Sequence, residues 1–140
     1  MHYFGALYGY IPESPKKLLI CEQLSEDYCD MIADVYPNTF KPPGEVRDQA
    51  IDKTFNEVLP RELAKVEKAL GNNKCLTGES LSIADFYWGS LYASWLTNPL
   101  AYEPERRADI LRKFPKYNAF GMRFTAELGD YLKARPPRPV

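Results

Sequence analysis

A chain of 140 residues with 45% hydrophobic and 26% charged side chains has enough apolar material for one globular core and lies outside the composition of disordered chains. Its formal net charge of −1 supplies no general field to attract nucleic acid or an anionic membrane. The only histidine, His2, stands apart from three scattered cysteines, Cys21, Cys29 and Cys75, so neither zinc nor another metal is expected.

The cysteines form no CxxC pair, and their odd number leaves one over in any disulfide scheme. Free, mostly packed thiols in a reducing compartment follow, cytoplasmic or within an organellar assembly rather than secreted. No secretion signal and no run of about 20 apolar residues occurs, so membrane insertion is not expected.

In chain order, Met1 to Tyr10 reads as an apolar arm laid on the body of the protein or on a partner, and Ile11 to Ser14 as a linker. Ser14 followed by Pro15 is a helix start, because proline at the first helical position gives up an N–H that would be unpaired anyway. The helix is expected to stop at Pro37. Leu24, Tyr28, Met31 and Val35 form its inward stripe. Glu22, Glu26, Asp30 and Asp34 recur every four residues on another face. Like charges at that spacing repel, so this stripe is either solvated or meets a basic surface. After a Pro-Pro-Gly loop, a helical stretch from Glu45 to Leu70 has a break expected at Pro60 and a glycine stop at Gly71.

The stretch from Leu76 to Leu96 organises the rest. Ser82 and Asp85 have the spacing of a capping box, and Leu81 and Phe86 that of a hydrophobic staple. From Ile83 to Leu96 the only charge is Asp85. A helix apolar nearly all round must be buried, and this one is too short to span a bilayer. It is therefore the central helix, about 82–96, of an all-α bundle. Beyond it, Pro104 opens a polar helix, Pro115 opens another with Tyr117, Phe120 and Phe124 inward, and Asp130 is expected to cap a final turn. Glu13 to Tyr36 carries six acids against two lysines, whereas Pro104 to Val140 carries nine bases against four acids. That polarity favours head-to-tail contacts or charged partners.

Gly78, Ser82, Ala84 and Asp85, followed by the aromatic run Phe86-Tyr87-Trp88, resemble the C-terminal helical domain of the glutathione transferases, the sigma class above all. Three further segments extend the likeness. Tyr3-Phe4-Gly5, with His2 where arginine is usual, resembles the exit of the thioredoxin-like domain. Gly71 to Gly78 resembles the loop before the buried helix, and Ala134-Arg135-Pro136 resembles the sigma-class terminus. The resemblance implies an all-α, glutathione-transferase C-terminal-type bundle. Residues 1–12 would be the remnant of the preceding domain's last helix and linker, 13–135 the helical domain, and 136–140 a proline-rich tail.

The resemblance also assigns sites. Tyr87 and Leu91 match positions bordering the family's apolar electrophile pocket, and Asp30 matches an acid that approaches glutathione in a neighbouring subunit. The glutathione-binding half and its catalytic tyrosine or serine have no counterpart in the 140 residues, so no catalytic residue is expected. Ser82 and Asp85 are structural. The expectation is a non-catalytic helical module serving as a structural or protein-interaction subunit of a larger assembly. Its partner would cover Tyr3, Phe4, Leu7 and Tyr8 on the arm and Glu22 and Glu26 on the first long helix, with dimerisation a further option and no cofactor. The alternative is the C-terminal part of a sigma-like transferase acting on apolar electrophiles, with glutathione bound by a half that is missing or supplied elsewhere. A carrier for small apolar ligands is a third reading.

Overall fold

The computed structural model describes residues 2–39 and 41–136, without the side chains of Asn38 and Thr39; Met1 and tail residues 137–140 lie outside. Among the described residues there are helices and no strand. They are α1 (His2–Tyr8), α2 (Pro15–Thr39), α3 (Glu45–Lys53), α4 (Leu59–Leu70), α5 (Ile83–Leu91), α6 (Pro104–Lys113), α7 (Pro115–Glu127) and α8 (Gly129–Ala134). Wide π-helical turns continue α3 at Thr54–Val58 and α5 at Tyr92–Leu96. Among the described residues no helix is long and apolar enough to cross a membrane.

Helix α5 is the axis. Both arms of its capping box are present: the Ser82 side chain accepts the Asp85 N–H, and Asp85 Oδ2 accepts the Ser82 N–H at 2.8 Å. Ser82 Oγ–H also donates to Asp85 Oδ2 at 2.6 Å. The other oxygen, Oδ1, accepts the N–H of Leu76 at 2.8 Å, tying the preceding loop to the helix start. Cys75 and Gly78 exchange backbone hydrogen bonds in the same loop. Burial pushes the Asp85 carboxyl above the ordinary aspartate range, against the pull of these donors.

Aromatic hydroxyl and indole groups then fasten neighbours to the axis. Trp88 Nε1 donates to the Leu24 carbonyl of α2 at 2.9 Å, and the Tyr117 hydroxyl of α7 donates to the Trp88 carbonyl at 2.7 Å. Trp88 and Tyr117 are fully buried. Close approach of α7 depends on two glycines: a Cβ on Gly89 would strike the Phe124 ring, and one on Gly121 the Tyr92 ring. Leu59, Leu63 and Val66 of α4 complete the core without exposure. Helix α1 sits on the start of α5, where Ile83 N–H donates to the Tyr10 carbonyl at 3.0 Å and the Tyr10 and Phe86 rings meet edge to face.

Three local expectations are corrected. Helix α2 continues through Pro37 to Thr39, because a proline in the last turn forfeits only one backbone bond. Pro60 does not break the second stretch. The π turn before it widens the helix so that Leu59 N–H reaches back to the Thr54 carbonyl, which relieves the α-helical crowding a proline would cause. Asp130 lies in the first turn of α8, and Leu128 holds the cap position.

An ion network around the buried Glu62 joins α2 to α4: Lys65 Nζ lies 2.8 Å from Asp27 and 2.7 Å from Glu62, and the exposed Arg61 lies 2.6 Å from Glu62. Burial alone would raise the Glu62 carboxyl, yet the hydrogen bonds from Lys65 and Arg61 outweigh it and hold the carboxyl below its ordinary 4.5. A depressed folded-state value gives stability that is complete above about pH 4.5 and drains as pH falls through the folded value. Chemical denaturation of wild type and Glu62→Gln should therefore differ most at neutral pH and converge as pH is taken below the folded value. Asp85→Ala should cost about 3 kcal/mol or more, since it strands the buried N–H groups of Leu76 and Ser82. An unchanged melting midpoint would show that the carboxylate does not hold the helix start.

Candidate functional site

The clearest apolar cleft lies between α2 and α5. Tyr28, Ile32, Val35 and Tyr36 form one wall; Ser90, Leu91, Ser94 and Trp95 form the other, around about 190 Å³. The walls follow from helix geometry: Tyr28, Ile32 and Tyr36 are spaced by four residues along one flank of α2, and Leu91 and Trp95 are four apart on the facing helix. Leu91 and Trp95 are buried at the floor, whereas Ile32 is only half-buried and open to a ligand.

Polar groups are few and ordered. Ser90 Oγ–H donates to the Tyr87 carbonyl at 2.7 Å, so the Tyr28 hydroxyl, 3.2 Å away, is the donor to Ser90 Oγ. The Tyr28 and Tyr87 rings pack 5.1 Å apart. Burial raises the Tyr28 hydroxyl, and burial together with the nearby Cys29 thiol raises that of Tyr87. Both stay neutral at physiological pH, so the cleft can orient a ligand by hydrogen bonding but offers no phenolate. Trp95 adds a buried indole N–H with no acceptor among the described residues.

The residues singled out from the sequence fall in three places. Tyr87 and Leu91 stand beside the cleft and in its floor. Asp30, Glu22 and Glu26 lie exposed on the outer face of α2, away from the cleft lining. Tyr3, Phe4, Leu7 and Tyr8 are 73, 59, 60 and 66% exposed on α1. Sequence reasoning missed Ile32, Tyr36, Ser90 and Ser94. The signal that could have found them is the second four-residue repeat of α2, running beside its core stripe. Among the described residues, no group of three or more His, Cys, Asp or Glu side chains is placed to hold a metal ion.

The thiols differ sharply. Cys21 is fully buried, Cys29 is exposed on α2 beside Tyr87, and Cys75 is buried with its thiol pushed up to about 11, by desolvation first and then by the Asp85 and Glu127 charges. Reaction of the native chain with a thiol-disulfide reagent at pH 8 should release one rapid equivalent, abolished by Cys29→Ser. Two or more rapid equivalents would contradict this burial pattern.

Comparison with known proteins bears on the whole arrangement. Residues 29–135 match the model of the family described as glutathione S-transferase, C-terminal domain. The chain is 29% identical over 105 residues to the hematopoietic prostaglandin D synthase of Gallus gallus, covering 71% of this chain and 49% of the relative. It thus spans about half the length of that relative. Among solved structures, the monomeric glutathione S-transferase Na-GST-3 of the hookworm Necator americanus aligns with a TM-score of 0.79 at 15% identity, over 99% of this chain and 67% of its own. The rat prostaglandin D synthase complexed with a quinoline aligns with a TM-score of 0.76 at 13% identity, over 94% of this chain and 62% of its own. At such identities the structural likeness speaks for the fold alone. The family match, covering most of the chain and the buried capping-box helix at its centre, establishes that the protein belongs to the glutathione S-transferase C-terminal domain family.

Proposed function

We propose that this chain is the apolar-ligand half of a glutathione-transferase-type protein, acting in conjugation or isomerisation of apolar electrophiles. The observation that supports it is an incomplete cleft. At about 190 Å³ it falls short of the roughly 300–1,000 Å³ of a self-sufficient small-molecule site. Its tyrosine hydroxyls are neutral and suited to orienting a ligand, while thiol activation needs a lowered thiol pKa. A thioredoxin-like half carrying glutathione and an activating hydroxyl would enlarge the cleft and cover α1. Asp30, exposed on α2, would face glutathione of a neighbouring subunit.

A second reading is a non-catalytic structural subunit that docks another protein. It is favoured by the outward side chains of Tyr3, Phe4, Leu7 and Tyr8 on one short helix, an apolar patch that a soluble domain rarely leaves uncovered. Glu22 and Glu26, exposed on α2, would add an acidic contact.

An uncharged fluorescent probe, N-phenyl-1-naphthylamine, separates the two. The transferase reading expects saturable binding, weakened about tenfold (~1.4 kcal/mol) by Ile32→Phe, which fills the cleft. Absence of binding, or equal binding by a correctly folded Ile32→Phe chain, would leave the structural subunit.

A further inference from the structure

The two tryptophans of the chain are treated differently by the fold. Trp88 Nε1 finds the Leu24 carbonyl at 2.9 Å, as a buried indole usually does. Trp95 is 6% exposed, yet its Nε1 has no acceptor among the described residues. Its ring neighbours Phe55 and Tyr102 leave that N–H unmatched, and a buried donor without a partner costs free energy. The α2–α5 cleft is the opening this indole lines; the depressions bounded by Leu100, by Phe120 and by Lys17 do not include it.

The other polar groups of the cleft are placed differently. The Tyr28 hydroxyl donates to Ser90, and Ser90 to the Tyr87 carbonyl. The exposed Tyr36 has an interaction of its own. Ser94 Oγ accepts from Arg135, and the half-buried hydroxyl can turn its own proton to water. The indole N–H cannot turn, because it is fixed in the ring plane. No charged side chain lines the cleft, so an ionised ligand would lose its hydration there without a counter-charge.

We propose that Trp95 is the specificity-determining residue of this cleft, its Nε1–H donating to an uncharged oxygen acceptor, a ketone or an ether, on an otherwise apolar ligand. The inference rests on the reading of the α2–α5 cleft as the ligand site, and adds to it what the ligand must carry. An acceptor that meets an unpaired buried donor gains more than one that trades water for a satisfied group.

Benzophenone and diphenylmethane test it, since they share a shape and differ in a carbonyl against a methylene. Displacement of N-phenyl-1-naphthylamine from the full chain gives both affinities. The preference for benzophenone over diphenylmethane should fall about tenfold in Trp95→Phe, which keeps an aromatic ring and removes the donor, and Ile32→Phe should weaken both ligands. In the unaltered chain, labelled with nitrogen-15, one indole N–H resonance should move downfield with benzophenone and not with diphenylmethane, while that of Trp88 stays in place. An equal preference in wild type and Trp95→Phe, or the same indole response to both ligands, overturns the inference and leaves the cleft reading standing. Binding of neither ligand, or binding untouched by Ile32→Phe, overturns both.

Discussion

The fold depends on a buried helix held at both ends by buried charges of the sign its dipole favours. Asp85 sits at the N-terminus with no exposure, accepting from Leu76 and Ser82. Arg107 sits at the C-terminal end with 4% exposure. Its five hydrogen bonds all run to backbone carbonyls: those of Trp95, Leu96 and Asn98 from Nη1, Ala101 from Nη2 and Tyr102 from Nε. Desolvation pulls the Arg107 pKa down from its ordinary value, but a guanidinium stays charged. The orphan groups that any helix leaves at its ends are thereby satisfied inside the protein, and the negative and positive side chains oppose the macrodipole's partial charges. The same two side chains fix the flanking loops, so the axis, the 71–82 loop and the 97–102 turn form one unit on which α2 and α7 are hung through Trp88.

The two π turns are placed where they meet. Phe55 belongs to the first and Trp95 to the second, and their rings pack 5.7 Å apart, with the Tyr102 ring 5.8 Å from that of Trp95. Each turn adds a residue to its helix and so rotates the side chains that follow. In the second, Thr97 N–H closes back on the Tyr92 carbonyl at 2.9 Å. That rotation sets Trp95 across the floor of the α2–α5 cleft while Leu96 stays in the core. Wide turns of this kind recur at functional sites, and here one of them shapes the wall of the candidate site directly.

Much of this was readable in the residues. The capping box at Ser82 and Asp85, the inward stripe of α2, the inward aromatics of α7 and the proline starts of α6 and α7 all rest on local rules that act within one or two turns. What escaped reading acts across the fold. Arg107 lies in a helix whose sequence, PERRADILRK, is polar enough to pass for a solvated face. Only the 95–102 turn, brought against it by tertiary packing, makes burial of that cation tolerable. Leu76 N–H as a partner for Asp85 is a backbone contact nine residues away and carries no side-chain signal. The π turns defeat periodicity because a single extra residue shifts the phase of everything after it. The cleft residues were hidden because half-buried side chains beside a core stripe look the same whether they line an opening or rim a core.

One short segment therefore faces two different chemistries. Ser90 and Ser94 lie a turn apart on the central helix, and both border the α2–α5 cleft, but Ser94 also borders a depression on the far side. On the cleft side the hydrogen-bond chain from the Tyr28 hydroxyl to Ser90 Oγ to the Tyr87 carbonyl ends in neutral groups, so a ligand there is selected without charge. On the far side the chain begins at the Arg135 guanidinium, which donates to Ser94 Oγ. A small hydroxyl at position 94 lets the helix present both surfaces. A bulky apolar side chain there would fill the cleft rim and remove the acceptor of Arg135 in one step.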